Sequence, residues 1–205
     1  MIARLVATVA GTPVPVDEVD AREAQLRNGP RAAALPPRGT SEGRQLRRWL
    51  TQLIVTERVM SAEVAARGLT ATDAPTEAEL LPDVTARLEI GSVAAAVLAD
   101  SRARALFAAV TAAVQVSDDD VAEFHARNPL RFAPPRPGGH GWRTPSPVGP
   151  PLEQVRSVIT GHLLGAARRR AFRVWLDARR AALVELAPGY EHPGDPRQPD
   201  NTHRH

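Results

Sequence analysis

The chain has 205 residues, 43% hydrophobic but only 4% aromatic, so Ala, Val and Leu must build the interior. All 26 basic residues are arginine and there is no cysteine, which excludes lysine nucleophiles, thiolate chemistry, disulfides and cysteine zinc sites. The net charge of +3 is spread along the chain instead of forming a basic stripe, which argues against nucleic-acid binding.

Residues 2–9 alternate as a β-strand does and are too short and too polar for an export signal. Gly11-Thr12-Pro13 reads as a turn, and Val14-Pro15-Val16 as an extended piece that proline keeps out of a sheet centre. Asp17 can cap a helix with Val19, Ala21 and Leu26 on one face, ending near Asn28-Gly29-Pro30. A Pro/Gly/Ala loop runs to Thr40. From Ser41, the residues Leu46, Trp49, Leu50, Leu53, Ile54, Val59, Met60 and Val64 recur at helical spacing, and Gly68 supplies a stop. Residues 70–86 mix Thr, Asp, Pro and Glu, with Pro75 and Pro82 limiting helix length. Helical texture resumes over 83–99 and continues to about residue 114.

Ser117 opens a further helix, with Asp118, Asp119 and Asp120 placed to complement its dipole rather than to hold a cation. Asn128-Pro129 ends it. Residues 133–151 are too rich in Pro, Gly, Ser and Thr for regular structure. A last helix spans 152–182, and ALVELAPGY continues as a short strand able to pair with strand 2–9 over 183–187. Arg168-Arg169-Arg170 point in different directions around that helix and read as a solvated, ion-paired face. His125 reads as a packed side chain, His140 as a solvated loop residue and His162 as partly buried. No stretch approaches the ~20 apolar residues that span a bilayer. The expectation is a mostly α, soluble, cytoplasmic protein that contacts neither membrane nor nucleic acid.

Four stretches in order resemble the chaperone module of the parvulin-type foldases, the SurA and PrsA families. VATVAGTPVPVDEVDAR resembles their opening strand, turn and helix, with Ala10 where asparagine is usual. RRWLTQLIVTERVMSAEVAARGL resembles their second helix. VQVSDDDVAEFHARNPLRF resembles the helix that leads into the isomerase domain. PLEQVRSVITGHLLGAARRRAFRVWLDARRAALVEL resembles the closing helix and strand. The resemblance implies a SurA N-terminal-like helical bundle over 1–187, closed by a short β pairing of the two ends. The isomerase domain of that family is missing; residues 133–151 stand in its place. Prolyl isomerisation is therefore not expected.

In such a fold the long helices would form an apolar groove for an unfolded segment or a partner protein, drawn here through Trp49, Leu50, Leu53, Phe107, Phe124, Trp142 and Trp175. The tail 188–205 carries a second possibility. His192, Asp195, Asp200, His203 and His205 supply imidazoles and carboxylates suited to Zn, Ni, Cu or Fe, and H-x-H can present two nitrogens to one ion. The same tail also reads as a solvated strap stiffened by Pro193, Pro196 and Pro199. If it binds metal, the fold has been reused as a small enzyme of biosynthetic metabolism acting on a small-molecule substrate. No nucleotide-binding, nucleophile-elbow or H-E-x-x-H motif is present.

Overall fold

The computed structural model describes residues 4–131 and 149–190. They form a mostly helical body with one small antiparallel sheet, in the order β1 (Leu5–Val9), β2 (Thr12–Pro15), α1 (Val16–Arg27), α2 (Ser41–Ala66), α3 (Glu77–Leu80), α4 (Val84–Ile90), α5 (Ser92–Val97), α6 (Ser101–Val110), α7 (Asp118–Arg127), α8 (Leu152–Leu183) and β3 (Val184–Leu186). A 3-10 turn covers Ala32–Ala34 between α1 and α2.

The sheet order is β2-β1-β3, with β1 central and antiparallel to both neighbours. Ala7 lies opposite Val14 on one side and Leu186 on the other, so the expected pairing of the two ends is present. The extended piece expected at Val14-Pro15-Val16 is an edge strand that already begins at Thr12, inside the expected turn. The turn is instead Ala10-Gly11, with φ of 48° and 76°. Two consecutive positive φ values make a two-residue hairpin whose twist matches its strands. Pro13 and Pro15 are tolerated because β2 is an edge. Arg58 of α2 donates from Nη1 to the Pro13 carbonyl at 2.9 Å and pairs with Glu18, tying the hairpin to the helices.

Helix α2 is the axis of the body. It begins at Ser41 as expected, and Thr40 caps it, its Oγ1 accepting from the Gly43 N–H at 3.0 Å. At the other end Gly68 takes φ of 60°, while the Gly68 and Leu69 N–H groups close on the Ala65 and Val64 carbonyls. That satisfies carbonyls the helix would otherwise orphan. Between these ends, residues 50–56 are buried on every side. Thr51 and Thr56 occupy this core by donating their hydroxyls to the carbonyls of Arg47 and Gln52.

The helical run expected over 83–114 is divided. Gly91, at φ of 89°, separates α4 from α5, and the Asp100 side chain caps α6 through the Arg102 N–H. Helix α8, about 48 Å long at 1.5 Å per residue, serves two packing units. Its second half lays Phe172 and Leu176 into the main core, which also holds Leu50, Ile54, Leu106 and Phe107. Its first half packs Val155 and Ile159 on Val121 of α7 in a separate, smaller cluster. Arg169 departs from the solvated face expected of the arginine triplet. It is buried, donating to Glu89 at 2.7 Å and to the Leu80 carbonyl at 3.2 Å.

Candidate functional site

Among the described residues an open cleft of about 930 Å³ runs along one side of α2. Its floor is Leu53, Met60 and Val64 of α2, facing Val97 of α5 and Ala103 of α6. These five are nearly covered by one another, so they give a smooth apolar base. The lips are small and exposed: Ser61 and Ala65 on α2, Thr70 and Ala71 beyond it, and Ala99 at the α5–α6 junction. Residues 53, 57, 60, 61, 64 and 65 share one stripe of the helix because they recur at intervals of three and four.

Charge is confined to the margins. Arg22 of α1 and Glu57 of α2 pair at 2.6 Å across one lip. Asp100 is exposed, with Oδ1 accepting from the Arg102 N–H at 2.8 Å as the cap of α6. Arg102 is exposed and makes no ion pair among the described residues. Behind the α5–α6 lip, Arg104 donates to three carbonyls, those of Pro75 at 2.6 Å, Leu98 at 3.1 Å and Ala99 at 2.7 Å. It fixes the turn that carries Ala99 and Asp100. Sequence inspection gave no reason to single out Arg104, because its role depends on carbonyls contributed by two separate loops.

The groove residues expected from sequence do not gather here. Leu53 lines the cleft. Leu50 and Phe107 are core residues, with the Phe107 ring 4.9 Å from Phe172. Trp49 is half-buried and donates its indole N–H to the Ser92 hydroxyl at 3.2 Å. Trp175 packs 5.4 Å from Phe172 and lies under the Arg67 guanidinium. Phe124 belongs to the α7–α8 cluster, with its ring 5.5 Å from His162. Trp142 lies outside the described residues. So do His192, Asp195, Asp200, His203 and His205, and His140 as well. Among the described residues no group of three or more His, Asp or Glu could hold a metal ion.

Two polar networks brace the body around the cleft. In the first, the Glu23 carboxylate of α1 is buried and accepts from Arg27 at 2.8 Å, Arg38 at 3.2 Å and Arg47 at 2.7 Å. Burial pushes its pKa up, but the hydrogen bonds of Arg27 and Arg47 and the charge of Arg38 outweigh this and hold it below the usual carboxylate range. In the second, Arg180 of α8 is bonded to Gln52 and to the Thr56 hydroxyl, and Gln52 donates to the Tyr190 carbonyl at 2.9 Å. Burial lowers the pKa of Arg180, with Asp177 opposing. His125, half-buried, is bonded through Nε2 to the Pro150 carbonyl at 2.8 Å. His162 is held below its ordinary pKa by burial and by the charges of Arg131 and Arg169. Asp120 closes a capping box with Ser117, while Asp118 pairs with Arg156 at 3.0 Å. Both carboxylates are thus engaged within the protein.

Residues 5–42 match a family model described as a family of unknown function, DUF7158. The match covers the hairpin, α1 and the loop that Glu23 clamps. No curated protein and no solved structure matches the chain. Among the described residues no helix is long and apolar enough to cross a membrane.

Proposed function

We propose that this protein is a chaperone-like binding module that holds an apolar segment of another polypeptide in the cleft beside α2, without prolyl isomerase activity. The observation that carries the reading is the cleft itself. It is open and apolar at its base, and its charges lie only at the margins. Those are features of a surface that takes up apolar chains rather than one that performs acid–base chemistry. The side chains whose pKa values shift are engaged in caps, ion pairs or packing, and none of them lines the cleft. The SurA-like order of segments in the sequence supports the same reading, as does a sheet joining the opening and closing strands.

The test is suppression of thermal aggregation of a model client, followed by light scattering. Retarded aggregation at a few-fold molar excess is expected, and it should be lost in Ala99→Arg, which places a long charged side chain on the cleft lip. No effect at any excess sinks the reading.

A further inference from the structure

We infer that the segment taken up in the cleft is an amphipathic α-helix of a partner protein, three to four turns long, with a carboxylate at the edge of its apolar stripe. This rests on the binding reading above and narrows it to one class of partner.

The walls decide the form of the guest. Most of the lining lies on α1, α2, α5 and α6, whose backbone N–H and C=O groups are largely paired within each helix, and only the 69–71 loop and the Ala99-Asp100 turn add non-helical backbone. The cleft offers no strand edge, and the sheet contributes none of its lining. An extended guest would leave its own backbone groups facing alkyl side chains, at the cost of desolvating each unpaired group. A helical guest satisfies its backbone internally and needs only an apolar stripe. The cleft also has the shape a helix needs. From Leu53 to Ala65 it follows α2 for about 18 Å, the length of about twelve helical residues. Its lips are Ala65, Ala71 and Ala99, small enough for two helix axes to approach closely.

Charge sets the edge of the stripe. Arg102 stands exposed at the lip without an ion pair among the described residues, whereas Arg22 is already neutralised by Glu57. A carboxylate at the edge of the guest's stripe completes Arg102. The exposed large apolar residues of the described chain are scattered, with Val84 and Leu88 on the seven-residue α4 and Val158 and Val174 far apart along α8, so a second copy does not offer a contiguous stripe.

The experiment uses two fluorescent peptides of about fourteen residues and identical composition, built from Leu, Ala, Gln and Glu. One spaces Leu at intervals of three and four; the other alternates Leu with polar residues. Binding to the full chain is read by anisotropy, and guest conformation by infrared spectroscopy of the isotope-labelled peptide. We expect the helix-patterned peptide to bind about tenfold tighter or more, a difference of about 1.4 kcal/mol, and to gain helix on binding. Ala65→Arg and Ala99→Arg should each weaken it about tenfold or more at unchanged Tm, while Arg102→Ala should remove most of the salt dependence. Both arginines replace exposed alanines, so folding is not at stake. If the alternating peptide binds as well and is equally blocked by Ala65→Arg, the helical guest is refuted while the binding reading stands. If helical binding is insensitive to both arginines, the assignment to this cleft is wrong. If neither peptide binds and aggregation is unaffected, both ideas fall.

Discussion

Glu23 offers the sharpest test of how the body is held together. Its side chain is 2% exposed, and it receives three guanidiniums, from α1, from the 28–40 loop and from α2. Removing one partner of a fully buried ion pair costs about 3–5 kcal/mol, because the charge left behind is stranded. Here the stranding is incomplete. Arg38 is 65% exposed and rehydrates at little cost. Arg27 keeps the Pro36 carbonyl at 2.9 Å, and Arg47 keeps Asp20 at 2.6 Å. For Glu23→Gln we therefore expect about 2–3 kcal/mol at pH 7, below the full buried-pair value.

For a chain of this size that corresponds to a fall in Tm of roughly 5–10 °C. Urea denaturation and differential scanning calorimetry would read it. The pH dependence provides the stronger check. The folded-state pKa of Glu23 is depressed, so its contribution is complete above the unfolded-state value of about 4.3 and is lost as pH falls through the folded value. The gap between wild type and Glu23→Gln should therefore close on acidification below about pH 4.3. A difference under about 0.5 kcal/mol at pH 7, the ordinary scale of a surface substitution, would refute the clamp. So would a larger difference that does not narrow with acid.

Further outcomes are specific to single positions. A Cβ at Gly43 would run into the Pro37 carbonyl oxygen, so Gly43→Ala should lower Tm despite its better helix propensity. Gly161, inside α8, has nothing within 4 Å of a built Cβ, so Gly161→Ala should stabilise by about 1 kcal/mol in chemical denaturation. Arg104→Ala should cost about 1–3 kcal/mol and weaken peptide binding by releasing the Ala99 lip, both read on one purified variant. The His162 ring, with its pKa lowered, should be less protonated in NMR titrations than an ordinary histidine at the same pH. Its contribution to stability is then complete above about pH 6.5 and falls as pH drops toward its folded value. Elemental analysis of untagged protein should show sub-stoichiometric metal that is unchanged in a His203→Ala/His205→Ala variant. One equivalent of metal lost in that variant would instead favour the enzyme reading of the tail.

The elements legible in the sequence are those with a strong local signal. Helix α2 was visible because its apolar residues keep helical spacing over 26 residues and meet a glycine stop. Helix α7 was visible from its Ser117 cap and acidic first turn. The start of strand β2 at Thr12 was not, because the turn sits at Ala10-Gly11 and Ala10 takes a left-handed φ that is normally signalled by asparagine or glycine. The run over 83–114 was drawn too long. Alanine is compatible with helix throughout, so only Gly91 and the Asp100 cap reveal where the axis turns.

The residues expected to share a groove do not come together, for a related physical reason. Large side chains have the most apolar area to hide, so Phe107, Leu50 and Phe172 are taken into the core. The open cleft lies where side chains are small, around Ala65, Ala71, Ala99 and Ala103. Alanines scattered over three separate segments have no sequence signature until the fold brings them together.

The central strand sets the order in which the molecule can be finished. Val9 pairs with Val184, a partner 175 positions later in the chain. As the chain is synthesised, the first hairpin can close within its own few residues, but its inner edge stays open until residues 184–186 have been made. The helices must therefore collapse around an unfinished sheet, and the closing strand docks last. A permuted chain in which a short linker joins the two ends and a new start is placed in a surface loop would make this pairing local. It should fold faster than the natural order while reaching the same structure.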